Sequence, residues 1–237
     1  MLCIRFTLIT ALLLLAVTTH AAPPPMAAPK AVDLGKVVAS SAGEGSFWLV
    51  NTSDQPLHVD ELKGTCGCIR FKEPKPSVID PQRGVAVHFT MDAPPEIGKK
   101  EKVVRVMLKN HDPVEIKVKL DSVASESSRR PRRSGSPLVA VPTRVDFGLV
   151  DADTMNDNTV WIVNGSDQPV DVASVRGSCS CMYLPPIEPR TLAPGGAMPI
   201  AFSMEAPKEA GKPKYKTLTV IAADGRPLGI PVVIERR

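Results

Sequence analysis

The chain has 237 residues, 43% of them hydrophobic, which is enough for one large domain or two ordinary ones with real cores. Its 29 Lys and Arg against 25 Asp and Glu give +4, but the excess lies outside the foldable segments: residues 30–121 hold 14 basic and 13 acidic side chains and residues 138–237 hold 10 and 11, whereas residues 122–137 hold 4 and 1. That balance excludes a basic groove for nucleic acid, and an aromatic share of 4% leaves little for stacking on bases or sugars.

In chain order, the first 21 residues read as an export signal: Arg5, an apolar run from Leu8 to Val17, then Thr19-His20-Ala21 with small residues at both critical positions. Cleavage is expected after Ala21. The run is shorter than the roughly 20 apolar residues a membrane-spanning helix needs, and no later stretch approaches that length. Cys3 precedes the apolar run and leaves with the leader. The mature chain is therefore expected in the periplasm or outside the cell, in an oxidising compartment, with four cysteines. Residues 22–29 are read as a Pro-rich spacer.

An internal repeat dominates the rest. Val32-Asp33-Leu34-Gly35 returns as Val145-Asp146-Phe147-Gly148, and Trp48-Leu49-Val50-Asn51 as Trp161-Ile162-Val163-Asn164, at a constant offset of 113 with about 24 identities in 67 positions. A period this long marks two complete domains, residues 30–121 and 138–237. Residues 122–137, rich in Ser, Arg and Pro, read as a flexible, solvated tether, so the copies are expected to behave as beads on a string.

Within each copy the hydrophobic period is 2. Val85, Val87, Phe89 and Met91 alternate with smaller or polar residues, as do Ile116, Val118 and Leu120 with lysines; Met198, Ile200, Phe202 and Met204, then Ile230, Val232 and Ile234, repeat this. Turn residues separate the runs: Ser53-Asp54-Gln55-Pro56, Asp80-Pro81-Gln82-Arg83-Gly84 and, in the second copy, Pro194-Gly195-Gly196. About seven strands in about 100 residues predict an all-β fold, two tandem immunoglobulin-like antiparallel β-sandwiches. Trp48 and Trp161 are assigned to the cores. Asn51-Thr52-Ser53 and Asn164-Gly165-Ser166 match a glycosylation sequon, but as turn residues they need no such reading.

All four mature cysteines lie in one duplicated motif, Gly64-Thr65-Cys66-Gly67-Cys68 and Gly177-Ser178-Cys179-Ser180-Cys181. Leu57, Val59, Ile69 and Phe71 are odd-numbered apolar positions while the cysteines are even, so a straight strand would turn the thiols away from the core. A bulge or turn at Gly64 and Gly177 would instead place the motif at one end of the sandwich. Cys66, Cys68, Cys179 and Cys181 are thus the disulfide candidates. In an extended strand residues i and i+2 stand about 6.6 Å apart, so a local bridge needs a bent backbone. Gly67 enters positive φ cheaply and Ser180 does not, which predicts that the first motif closes more readily. The same thiols are the alternative ligands for Cu(I) or Zn, although none of His58, His88 and His111 is duplicated with them. A bridge between the copies is a further alternative.

The order of these features, a Gly after a first short strand, Asn-x-x-x-x-Pro-Leu, Ser/Thr-Cys-Gly-Cys, then Pro-x-x-Gly before an alternating strand, resembles the bacterial domain of unknown function 1573, whose fold is related to major sperm protein and ASH modules. The resemblance implies an Ig-like sandwich in an exported bacterial protein and implies no activity. The second copy departs from it at Ser180 and Met182.

No nucleophile elbow, phosphate loop or His-Glu-x-x-His motif occurs, so no catalytic residue and no cofactor are expected. The expected role is a non-catalytic two-module binding or scaffold protein of the bacterial envelope, with a protein or envelope partner. The alternative is a thiol-based metal or redox protein.

Overall fold

The computed structural model describes residues 25–124 and 135–237. The leader with Cys3 and its cleavage point, and the arginines of the tether, lie outside the described residues. The first copy contains β1 (Met26–Ala27), β2 (Ala31–Val38), β3 (Ala42–Asn51), β4 (Leu57–Gly64), β5 (Ile69–Phe71), β6 (Val78–Ile79), β7 (Gly84–Asp92), β8 (Gly98–Leu108) and β9 (Val114–Val123). The second contains β10 (Leu138–Val141), β11 (Val145–Val150), β12 (Met155–Asn164), β13 (Val170–Gly177), β14 (Met182–Tyr183), β15 (Arg190–Leu192), β16 (Ala197–Glu205), β17 (Lys214–Ala222) and β18 (Pro227–Arg236). Each copy is a sandwich of a four-stranded and a five-stranded sheet, ordered β1-β3-β7-β5 and β2-β9-β8-β4-β6 in the first, and β10-β12-β16-β14 and β11-β18-β17-β13-β15 in the second.

The alternating runs form the central strands because their apolar positions meet between the sheets. Phe47, Leu49, Phe89 and Met91 from one sheet face Val104, Val106, Ile116 and Val118 from the other, all buried. Each such side chain contributes about 1.5–3 kcal/mol of apolar burial. On the outer face of the five-stranded sheet, charges pair across strands: Arg105 with Glu115 at 2.8 Å, and Glu101 with Lys117 at 3.3 Å. The hydrogen bond and charge of Lys117 hold the exposed Glu101 carboxyl below its ordinary pKa.

Two details depart from the sequence expectation. Nine strands per copy are found where seven were counted, since two- and three-residue strands are too short to show a period. The pairing of β2 with β9, and of β11 with β18, is parallel. Both parallel pairs carry a bulge at the repeated Asp-x-Gly: Asp33 accepts the Gly35 N–H at 2.8 Å and Asp146 that of Gly148 at 2.9 Å, with the glycines at φ 68° and 66°. Only glycine takes that conformation without strain.

The segment limits also shift. Met26, within the Pro-rich spacer, is buried and pairs with Asn51, because an edge strand tolerates flanking prolines. At the other end β9 runs into the tether's first residues, where the buried Ser122 hydroxyl donates to the Pro94 carbonyl at 2.9 Å.

Asn51 and Asn164 organise the duplicated turn and are fully buried. The Asn51 Nδ2 donates to the carbonyls of Gln55 (2.7 Å) and Ile79 (2.8 Å), while its Oδ1 accepts from the Ser53 N–H and hydroxyl. Asn164 repeats all four bonds with Gln168, Leu192 and Ser166. With both Nδ2 hydrogens engaged in the interior, the sequons are structural.

The expectation of beads on a string is corrected here, and with it the place of the tryptophans. Trp48 and Trp161 are half-buried on the outer faces of the four-stranded sheets, where with Val50, Val141, Val163 and Ala197 they form a third apolar cluster that joins the two copies. Phe47 and Leu49, on either side of Trp48, take the inward positions. The turns before β7 and β16 meet as an antiparallel bridge between Arg83 and Gly196. The Gly84 N–H donates to the Gly195 carbonyl at 2.8 Å, and the Ala197 N–H to that of Gln82 at 3.0 Å. Residues 82, 83 and 84 correspond to 195, 196 and 197 by the repeat offset, so each bond is the image of the other. The contact is therefore isologous, with a pseudo-two-fold axis passing between Arg83 and Gly196.

Candidate functional site

The duplicated cysteine motif sits where the chain leaves one sheet for the other, between β4 and β5 and between β13 and β14. Upstream, the register of β4 on β8 shifts between Val59 and Glu61, and that of β13 on β17 between Val172 and Ser174. These bulges reverse the inward parity: Leu57 and Val59 are buried, then Leu62 packs on the core. The bulge expected at Gly64 and Gly177 thus lies about four residues earlier.

Gly64 and Gly177 have another task. A Cβ on Gly64 would stand 2.9 Å from the Cβ of Ile69, and one on Gly177 would stand 3.0 Å from the Cβ and Sδ of Met182. The turn therefore folds back tightly over the residue that follows it. The Ile69 N–H donates to the Cys66 carbonyl at 3.4 Å, and the Met182 N–H to that of Cys179 at 3.3 Å.

Both sheets grip this turn. Thr65 donates its N–H to the Val103 carbonyl (2.9 Å) and accepts the Val103 N–H on its hydroxyl (3.2 Å), fastening the turn to β8. The Cys68 carbonyl accepts the Asp92 N–H at 2.9 Å, fastening it to β7. Ser178 with Thr217, and Cys181 with Glu205, repeat both attachments. Sequence reasoning passed over Thr65 and Ser178. The hydroxyl repeated before the first cysteine was the available signal, since such side chains bond backbone at turns.

Within the turn Cys66 is bonded to Cys68 and Cys179 to Cys181, each with Cα atoms 5.2 Å apart. That is shorter than the span of two extended residues, as a local bridge requires. Each bridge closes within its own copy, so the cysteines do not join the copies. Neither Gly67 nor Ser180 is among the residues at positive φ. The expected advantage of the first motif therefore loses its premise, and Ser180 closes its ring as Gly67 does. All four cysteines are half-buried against the cores, with Gly67 and Ser180 exposed between them.

Chemically, each site is a clamp on the sheet-to-sheet crossover that two electrons and two protons from an external dithiol would open. Metal binding at Cys66, Cys68, Cys179 or Cys181 would need that opening first, because a cystine offers no thiolate. Among the described residues no group of three or more His, Cys, Asp or Glu is arranged to hold a metal ion, and no helix is long and apolar enough to cross a membrane.

A family model described as a protein of unknown function, DUF1573, matches residues 27–123 and again 139–228. No curated protein matches the chain. Among solved structures, a protein of unknown function from Porphyromonas gingivalis W83 is 15% identical over 89% of this chain and 99% of its own, with a TM-score of 0.36. The ASH/PapD-like domain 7 of human CEP192 is 13% identical over 52% of this chain and all of its own, with a TM-score of 0.37. The CupB2 chaperone of Pseudomonas aeruginosa is 14% identical over 83% and 95%, with a TM-score of 0.30.

Proposed function

The chain belongs to the family described as a protein of unknown function, DUF1573, and we propose that it is an exported, non-catalytic two-module binding protein of the bacterial envelope. The isologous contact between the copies carries this reading. It fixes two similar sandwiches in one orientation through backbone bonds and buried Val50 and Val163, which is how a chain presents two surfaces at a set spacing. The leader pattern around Arg5 and Ala21 supports export. So do the two cystines, which persist in an oxidising compartment and not in a cytosol.

The test has two arms. Cell fractionation with N-terminal sequencing should find the chain outside the cytoplasm and starting at Ala22. Immobilised mature protein should retain the same envelope component across salt and detergent conditions. A chain found intact in the cytoplasm, or repeated failure to retain any partner, would contradict the proposal.

The half-exposure of both cystines favours one second reading, a thiol-based redox or metal protein. Thiol counting and elemental analysis of the isolated protein, with and without reductant, separate the two. Four free thiols with stoichiometric copper or zinc would replace the first reading by the second.

A further inference from the structure

The two copies cover the edges of β7 and β16 differently. Alternation along β16 places the backbone groups of Ala197, Pro199, Ala201, Ser203 and Glu205 on the edge away from β12. At one end Ala197 donates to Gln82 of the first copy; at the other Glu205 donates to Cys181 and Ser203 faces Tyr183 of β14. Pro199 and Ala201 lie between. In the first copy the residue equivalent to Ala201 is His88, whose carbonyl accepts the Lys72 N–H at 2.9 Å. The residue equivalent to Lys72 is Pro185, which has no N–H to give.

Pro185 therefore ends β14 at two residues. Among the described residues, the Ala201 N–H and carbonyl and the Pro199 carbonyl have no backbone partner on this edge. Ala201 and Pro199 are exposed. Beside them the chain from Pro185 to Arg190 stands off from Thr159 and from Met198 to Ala201, leaving an open cleft of about 570 Å³. Its walls are mixed, with Ile187 and Met198 on the apolar side and Thr159, Glu188 and Arg190 on the polar one.

We propose that this gap in the β16 edge takes an extended polypeptide segment from a partner protein, which adds as a short strand. The segment's backbone pairs with Ala201 and donates to the Pro199 carbonyl, and one apolar side chain enters the cleft. The occupant is argued from the edge itself, since one end already holds the strand β14 and the other already bonds backbone from the turn at Gln82. The gap is continuous with the interface at Ala197, where the chain's own Gln82 is the partner. This inference rests on the binding-module reading and adds to it a site and a ligand class.

A display library of random heptapeptides is selected on the immobilised, oxidised full chain, and the binders are synthesised and titrated. Pro185→Lys restores the residue of the sister copy, whose N–H covers the carbonyl equivalent to that of Ala201. Ala201→Pro removes the edge N–H while keeping the bonds to β12, as Pro199 already does. Thermal unfolding confirms that both variants fold. The expected result is binding weakened tenfold or more by each variant and by N-methylation of the peptide's central residue, with the Ala201 amide resonance shifting on titration. Selection of no peptide, or binding that is equal on wild type and Pro185→Lys, overturns the inference. Neither result touches the separate test of export and envelope capture.

Discussion

Gly84 of the first domain has no space for a side chain because Val163 of the second stands where it would go: a Cβ on Gly84 would lie 2.9 Å from the Val163 Cγ1. It would also lie 3.2 Å from the ring of Trp48. Gly84 begins β7 on its outer face, so a larger residue there meets the neighbouring domain and the Trp48 ring, not the core.

Gly84→Leu is accordingly expected to separate the domains without unfolding either. Both tryptophans belong to the contact, so intrinsic fluorescence reads it directly. The emission of Gly84→Leu should move to longer wavelength while the far-ultraviolet circular dichroism is unchanged. An unshifted emission maximum would place the tryptophans' burial elsewhere.

Asn51→Ala removes four hydrogen bonds in a fully buried place and leaves the Ile79 carbonyl without its donor. The cost should be about 3 kcal/mol, from the lost bonds and the unsatisfied groups. Asn164→Ala should cost a similar amount in the second domain. Urea unfolding checks both, and a loss below about 1 kcal/mol at either site would contradict the account.

Most of this fold was legible because alternation is a strong signal where one face of a strand meets a core. The runs at 85–91, 116–120, 198–204 and 230–234 lie in β7, β9, β16 and β18, and the repeat offset separated the domains. Trp48 and Val50 were harder. They alternate with Phe47 and Leu49 on a strand buried on both faces, and parity alone does not say which set meets the core and which meets another domain. Beads on a string follows from the composition of residues 122–137, and nothing in that parity opposes it. Parity places the cysteine turn at the sandwich end, but the visible glycine is not the bulge: the register shifts at Asp60 and at Ala173, with no glycine or proline beside either. The uncovered Ala201 carbonyl depends on one backbone hydrogen that Pro185 lacks, and shows only when the copies are superimposed strand by strand.

The Cys66–Cys68 cystine closes a loop of only three residues, so it restrains the unfolded chain little. The double variant Cys66→Ser, Cys68→Ser should lose about 1–2 kcal/mol, and the equivalent change at Cys179 and Cys181 about the same. Urea unfolding of each variant against the oxidised wild type measures this. A loss above about 4 kcal/mol in either would show that the clamp governs the folding of its whole domain.

The claim that the two copies form one body is tested most directly by backbone ¹⁵N relaxation on the intact chain. A single rotational correlation time shared by both sandwiches, with slow amide exchange at Gly84 and Ala197, is the expected result. Two separate correlation times, each that of a domain of about 100 residues, would contradict it and return the molecule to two independent modules on a tether.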